Sequence, residues 1–144
     1  MVSLGKLKDP RGFDAIVNGL EDEKYTVRSA AAIAVGRQDA NILPVLQNAM
    51  SDAESEFLEV DLSALQRLAD NWAKQDDTKK GIQKIAPIVR LYLEYPDPRI
   101  QAVALRTAAS VFDNKELQRT VKRFESTQAP VLQAQVRQLQ LMQR

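Results

Sequence analysis

Apolar residues at helical spacing recur through this chain, and the pattern returns after about 30 positions. Phe13, Ile16, Val17 and Leu20 fall at i, i+3, i+4 and i+7, one face of a helix. Val27, Ala30, Ala31 and Ala34 repeat that spacing. Moving forward by 30 sets Phe13 on Leu43, Ile16 on Leu46, Gly19 on Ala49, Leu20 on Met50 and Asp22 on Asp52. The same shift sets Val27 on Phe57, Ala30 on Val60, Ala34 on Ala64 and Val35 on Leu65. Further on, Ile100-Gln101-Ala102-Val103-Ala104 matches Val27-Arg28-Ser29-Ala30-Ala31. A helical hairpin cannot bury such a stripe alone, whereas stacked hairpins bury a continuous core.

Later stripes extend the pattern. Leu58, Leu62, Leu65, Ala69 and Trp72 make a long one, and Ile82, Ile85, Val89 and Leu93 another. Ile100, Val103, Ala104, Ala108 and Val111 follow, then Leu117, Val121 and Phe124, then Leu132, Val136 and Leu139. No period-2 strand competes with them. The fold class is therefore all-α: a right-handed α-solenoid (α-α superhelix) of about four stacked hairpins, with approximate repeats 9–38, 39–72, 79–112 and 113–143. Asp9, Asp39, Ser51, Asp97 and Asp113 precede helical runs and read as N-caps. Gly36 reads as a helix terminator. Asn71 to Gly81 reads as one long polar loop, widening the junction between the second and third units.

Composition narrows the chemistry. The 144 residues include no histidine and no cysteine. Imidazole- and thiolate-based catalysis is thereby excluded, as are disulfides and zinc sites built on those ligands. The five glycines form neither G-x-G-x-x-G nor a Walker loop. Carboxylate neighbours such as Glu56 with Glu59, Asp76 with Asp77, and Glu21 with Glu23 lie in polar segments and read as solvated helix ends and turns. No catalytic residue, metal or cofactor is expected. No run reaches the ~18–20 apolar residues of a membrane span, and the first residues carry no signal-peptide core. A soluble, cytoplasmic protein without membrane contact is the expectation.

The residues Asp9-Pro10-Arg11, then Leu20, then Val27-Arg28-Ser29-Ala30-Ala31-Ala32-Ile33-Ala34-Val35-Gly36 resemble the HEAT-like repeat of the phycobilin-lyase type, D-P-R…A-L…V-R-x-A-A-A-x-A-L-G. The resemblance is closest over 9–36, looser over 39–69, and reduced to the helical pattern over 79–143. It implies an α-solenoid that binds proteins, hence a non-enzymatic interaction or scaffold module. Deoxyhypusine hydroxylase uses this repeat with His-Glu iron ligands, and a chain without histidine cannot share that activity. Two other readings follow from the resemblance. One is a C-terminal accessory domain of a larger enzyme such as a zinc aminopeptidase; the other is part of a bilin lyase or chaperone subunit. Leu4-Gly5 followed by Asp9-Pro10-Arg11 is similar to the end of one repeat running into the next. A piece of a longer protein, in contact with an N-terminal catalytic or repeat domain of the same parent chain, is expected on that ground.

Two candidate contact surfaces emerge. In the resembled repeat the residue after the triple alanine is usually polar, and here it is Ile33, with Ser63 and Arg106 at equivalent positions. Ser29, Ile33 and Arg37 thus form one candidate partner-binding set. The second comes from charge. Residues 1–72 hold 7 basic and 12 acidic side chains, net −5, and residues 73–144 hold 13 and 7, net +6. Lys115, Arg119, Lys122 and Arg123 fall at i, i+4, i+7 and i+8, on one helical face away from Leu117, Val121 and Phe124. The stripe reads first as a solvated helix face; as a contact surface it suits an acidic protein partner better than nucleic acid, because the chain is not basic overall and no base-stacking aromatics interleave with the stripe.

Overall fold

The computed structural model describes residues 10–36, 42–52, 55–74 and 79–142. Among them lie eight helices and no strand. They are α1 (Pro10–Leu20), α2 (Tyr25–Val35), α3 (Ile42–Asp52), α4 (Ser55–Ala73), α5 (Lys79–Leu93), α6 (Pro98–Val111), α7 (Asn114–Phe124) and α8 (Pro130–Met142). The all-α class read from periodicity is the class observed.

Local chemistry sets the helix boundaries. Asp97 accepts the Arg99 backbone N–H at 2.9 Å, with Pro98 in the first turn behind it. Asp113 accepts the Glu116 N–H at 2.8 Å and starts α7. Asp22 accepts the Lys24 N–H at 2.7 Å, closing the turn between α1 and α2. Asp9 and Asp39 lie outside the described residues. Ser51 is not a cap: it sits in the last turn of α3 and donates to the Gln47 carbonyl at 2.9 Å. The i−4 carbonyl is in reach of a serine hydroxyl inside a helix, so its polarity did not require a break.

The polar stretch 71–81 also departs from expectation. Helix α4 continues to Ala73 and α5 begins at Lys79. Trp72, only 3% exposed, anchors one side of the junction. Gly81 lies under its ring, and a Cβ there would sit 2.6 Å from two indole carbons. Asn71 turns its amide back to the Gly36 carbonyl at 3.0 Å, so this polar residue serves the helix packing.

Consecutive helices pair as α1 with α2, α3 with α4, α5 with α6 and α7 with α8. The second members also meet in order: α2 touches α4, α4 touches α6, and α6 touches α8. Burial agrees across the 30-residue shift. Ile16 and Leu46, Leu20 and Met50, Ala32 and Leu62, Ala34 and Ala64, and Val35 and Leu65 are all buried. Val27 and Phe57 are both half-buried, as are Ala30 and Val60. Each fully buried leucine contributes roughly 1.5–3 kcal/mol relative to exposure.

The first and third hairpins each contain an equivalent side-chain-to-carbonyl contact. Arg28 Nε donates to the Leu20 carbonyl at 2.6 Å, and Gln101 Nε2 donates to the Leu93 carbonyl at 3.2 Å. Each satisfies a carbonyl at the end of the preceding helix, where no intrahelical donor reaches. The Arg28 charge also suits a helix C-terminus, and its guanidinium lies 4.2 Å from the centre of the Phe57 ring.

Gly36 ends α2 in ordinary right-handed backbone, φ −56°, so it is not a left-handed terminator. Its missing side chain serves a close approach: a Cβ would lie 3.0 Å from that of Arg67 on α4. At Gly81 the obstruction is stronger. Gly81→Ala should therefore destabilise the fold by roughly 1–3 kcal/mol, although an alanine in an open helical position would stabilise it. Urea midpoints of the two proteins check this, and an unchanged or higher midpoint for the variant would mean that the indole can move aside.

Candidate functional site

The row of second helices forms the first candidate surface. Ile33 on α2 is 40% exposed and Ser29 is half-buried beside it. Arg37 lies outside the described residues. Ser63, the equivalent of Ile33 on α4, is half-buried and donates to the Glu59 carbonyl at 2.9 Å. Arg106, the equivalent on α6, is exposed and donates through Nε to Gln135 Oε1 of α8 at 3.0 Å. Near the start of α2, Tyr25 is 52% exposed and borders a shallow cleft with Glu59, Val60, Ser63 and Arg99. The Ser110 hydroxyl donates to the Asp70 carboxylate and ties α6 to α4. Exposed apolar side chains thus stand on α2 (Tyr25, Ile33) and on α8 (Val131, Leu141, Met142), with the hydrogen-bonding groups of Ser63 and Arg106 on α4 and α6 between them in chain order. That arrangement, exposed aromatic and aliphatic side chains beside hydrogen-bonding groups, is what protein interfaces use.

Helix α7 forms the second. It buries Leu117, Thr120, Val121 and Phe124, and exposes Lys115, Gln118, Arg119 and Lys122 around a shallow depression. Three of the four cations named from sequence therefore stay together. Arg123 leaves the group: its NH1 pairs with Glu94 Oε1, in the turn just after α5, at 2.6 Å, and its guanidinium lies 5.0 Å from the centre of its neighbour Phe124's ring. The neighbouring Glu116 is claimed by Arg90 of α5 through two contacts of 2.8 Å. That hydrogen bonding holds the Glu116 carboxyl below its usual range and raises Arg90 further.

Asp61 was not singled out from sequence, yet it is the most unusual polar residue in the core. It is 0% exposed on α4, and both carboxylate oxygens lack a hydrogen-bond partner. It stands where the first hairpin has Ala31 and the third has Ala104, both buried. The legible signal was positional: residue 61 falls in the apolar stripe between Leu58 and Leu65, 30 positions after Ala31. Burial pushes its pKa from 3.8 to about 7, against the pull of Arg28 on α2. Tyr92 on α5 also feels it; burial, then Tyr95, then Asp61 raise that phenol.

Among the described residues, no group of three or more metal-ligating side chains is assembled. Among the same described residues, no helix is long and apolar enough to cross a membrane. Comparison with protein-family models, with curated proteins and with solved structures gives no match in any of the three.

The Asp61 environment has a pH signature. Between 3.8 and about 7 the folded chain holds a proton on Asp61 that the unfolded chain has released. Stability from this residue therefore falls as pH rises through that window, and levels off above it. Asp61→Ala, which copies Ala31 and Ala104, should remove the penalty. Its stability advantage over the wild type should grow by about 3 kcal/mol from about pH 5 to about pH 8. Parallel denaturant titrations at the two pH values measure it, and a constant difference would show that Asp61 is not neutral in the folded chain.

Proposed function

We propose that this chain is a non-enzymatic protein-interaction module: an α-solenoid of HEAT-like hairpins whose second helices present the contact surface. One observation carries the reading. Helices α2, α4, α6 and α8 touch in sequence, and the surface along them exposes Tyr25 and Ile33 at one end. Matching burial across the 30-residue shift supports the repeat. So does the side-chain-to-carbonyl contact shared by Arg28 and Gln101.

The mechanism is shape. Helices held on both sides by neighbours lose little freedom when a partner lands, so the ordering cost of association is low. A few anchors then dominate affinity, and Tyr25 and Ile33 are the exposed large side chains available on α2. The partner implied is a protein with an apolar patch bordered by hydrogen-bonding groups.

Ile33→Glu tests the reading, because a charge at an interface anchor is desolvated without a counter-ion. Proteins captured from the source organism by the wild-type chain should be retained at least about tenfold less by the variant, at an unchanged thermal midpoint. Equal retention by Ile33→Glu and by Tyr25→Ala would remove this surface as the site.

A further inference from the structure

We propose that the outward face of α7 docks an acidic helix of a partner protein, one with carboxylates at i, i+4 and i+7. The proposal rests on the interaction-module reading and adds the chemistry of a second contact. Lys115, Arg119 and Lys122 share one side of α7 and span about 10 Å of its axis. All three are exposed, and with Gln118 they line one depression. Among the described residues none of them forms an ion pair.

The acids nearby are committed elsewhere. Both Glu116 oxygens face Arg90, and Arg119 is the weakest of the influences on that carboxylate. Glu94 holds Arg123 at 2.6 Å. Glu125 accepts from Gln140 at 3.1 Å, and Asp113 caps α7 through the Glu116 N–H. The three cations are therefore left to solvent by the way their neighbours pair.

Helix stability does not account for the whole row. Cations in the last turn suit the macrodipole, which explains Lys122 and Arg123. Lys115 stands in the first turn, where a cation opposes the dipole, and it repels Arg119 one turn on. A row of like charges that weakens its own helix is relieved when opposite charges approach. Carboxylates at i, i+4 and i+7 on a partner helix repeat the pitch of the row. The Gln118 amide, between Lys115 and Arg119, supplies a neutral donor for the same carboxylates.

Peptide chemistry fits better than a nucleic acid. The rings next to this face, Phe112 and Phe124, are buried, so unpaired bases would find no aromatic surface to stack on. Three cations over two turns also make a short track for a polyanion whose charges continue in both directions.

Fluorescence anisotropy at low salt tests the proposal on the full chain. The probes are a labelled helical peptide of about 15 residues with Glu at i, i+4 and i+7, its Gln-substituted twin, and a labelled oligo-dT of equal charge. The Glu peptide should bind at least about tenfold tighter than the twin, and tighter than oligo-dT. Arg119→Glu with Lys122→Glu should weaken it at least about tenfold. Arg123→Gln, which removes a cation held by Glu94, should change it less than about twofold. Tighter binding of oligo-dT would transfer the face to nucleic acid. Equal binding of the twin, no binding at all, or an equal loss with Arg123→Gln would overturn the site. Ile33→Glu should leave peptide binding unchanged. If peptide binding fails while Ile33→Glu still abolishes partner capture, only the α7 proposal falls; if Ile33→Glu spares capture and peptide binding holds, only the second-helix surface falls.

Discussion

Helix α4 is touched by α2, α3, α5 and α6, and that crowding dictates which side chains the chain can place around it. A helix approached from several directions must be apolar over much of its circumference. Accordingly Leu58, Leu62, Leu65, Leu68, Ala69 and Trp72 are all buried. The facing helix α2 answers with small residues: Ala31, Ala32 and Ala34 are fully buried, and Gly36 lets the Arg67 backbone come close. Large side chains on one helix and small ones on its neighbour interdigitate at interior density. The alanine run that carries the second apolar stripe is also what makes room for α4.

Much of this architecture was legible because an amphipathic helix writes its burial into its sequence. The stripes ending in Leu20, Ala34 and Trp72 lie where the core lies, since period 3.6 and burial have one geometric origin. The caps at Asp97 and Asp113 were legible for a similar reason: a short carboxylate before a helical run has few other uses. The junction at 71–81 was not. Asn71 and Gly81 are loop letters on average, and only the third dimension shows that one bonds the Gly36 carbonyl while the other makes room for an indole. Asp61 was obscured in the opposite way, as a charged letter inside an apolar stripe that composition treats as solvated.

Side-chain electrostatics were the least legible layer. Arg123 shares its helical side with Lys122 in sequence, yet a glutamate in the turn after α5 decides its neighbour. The Arg90–Glu116 pair joins α5 to α7, and the Arg123–Glu94 pair joins the turn after α5 to α7. They are largely exposed, so each contributes less than about 1 kcal/mol. Their larger effect is selective: by neutralising some cations and not others, they determine where positive potential survives on the surface. Three of the 13 basic residues in the +6 half thus form one row, unpaired among the described residues, on a single helix face.

The meeting of Trp72 and Gly81 has an optical consequence. This is the chain's sole indole, and it sits in the seam between α4 and α5 with almost no solvent contact. Light absorbed at the red edge of the aromatic band excites this residue and leaves the tyrosines dark. The emission colour of the whole protein is therefore a readout of one joint. Any event that parts α4 from α5 admits water to the ring and shifts the emission to the red, while events confined to α7 or α8 leave it unchanged. The protein carries its own gauge for the α4–α5 joint.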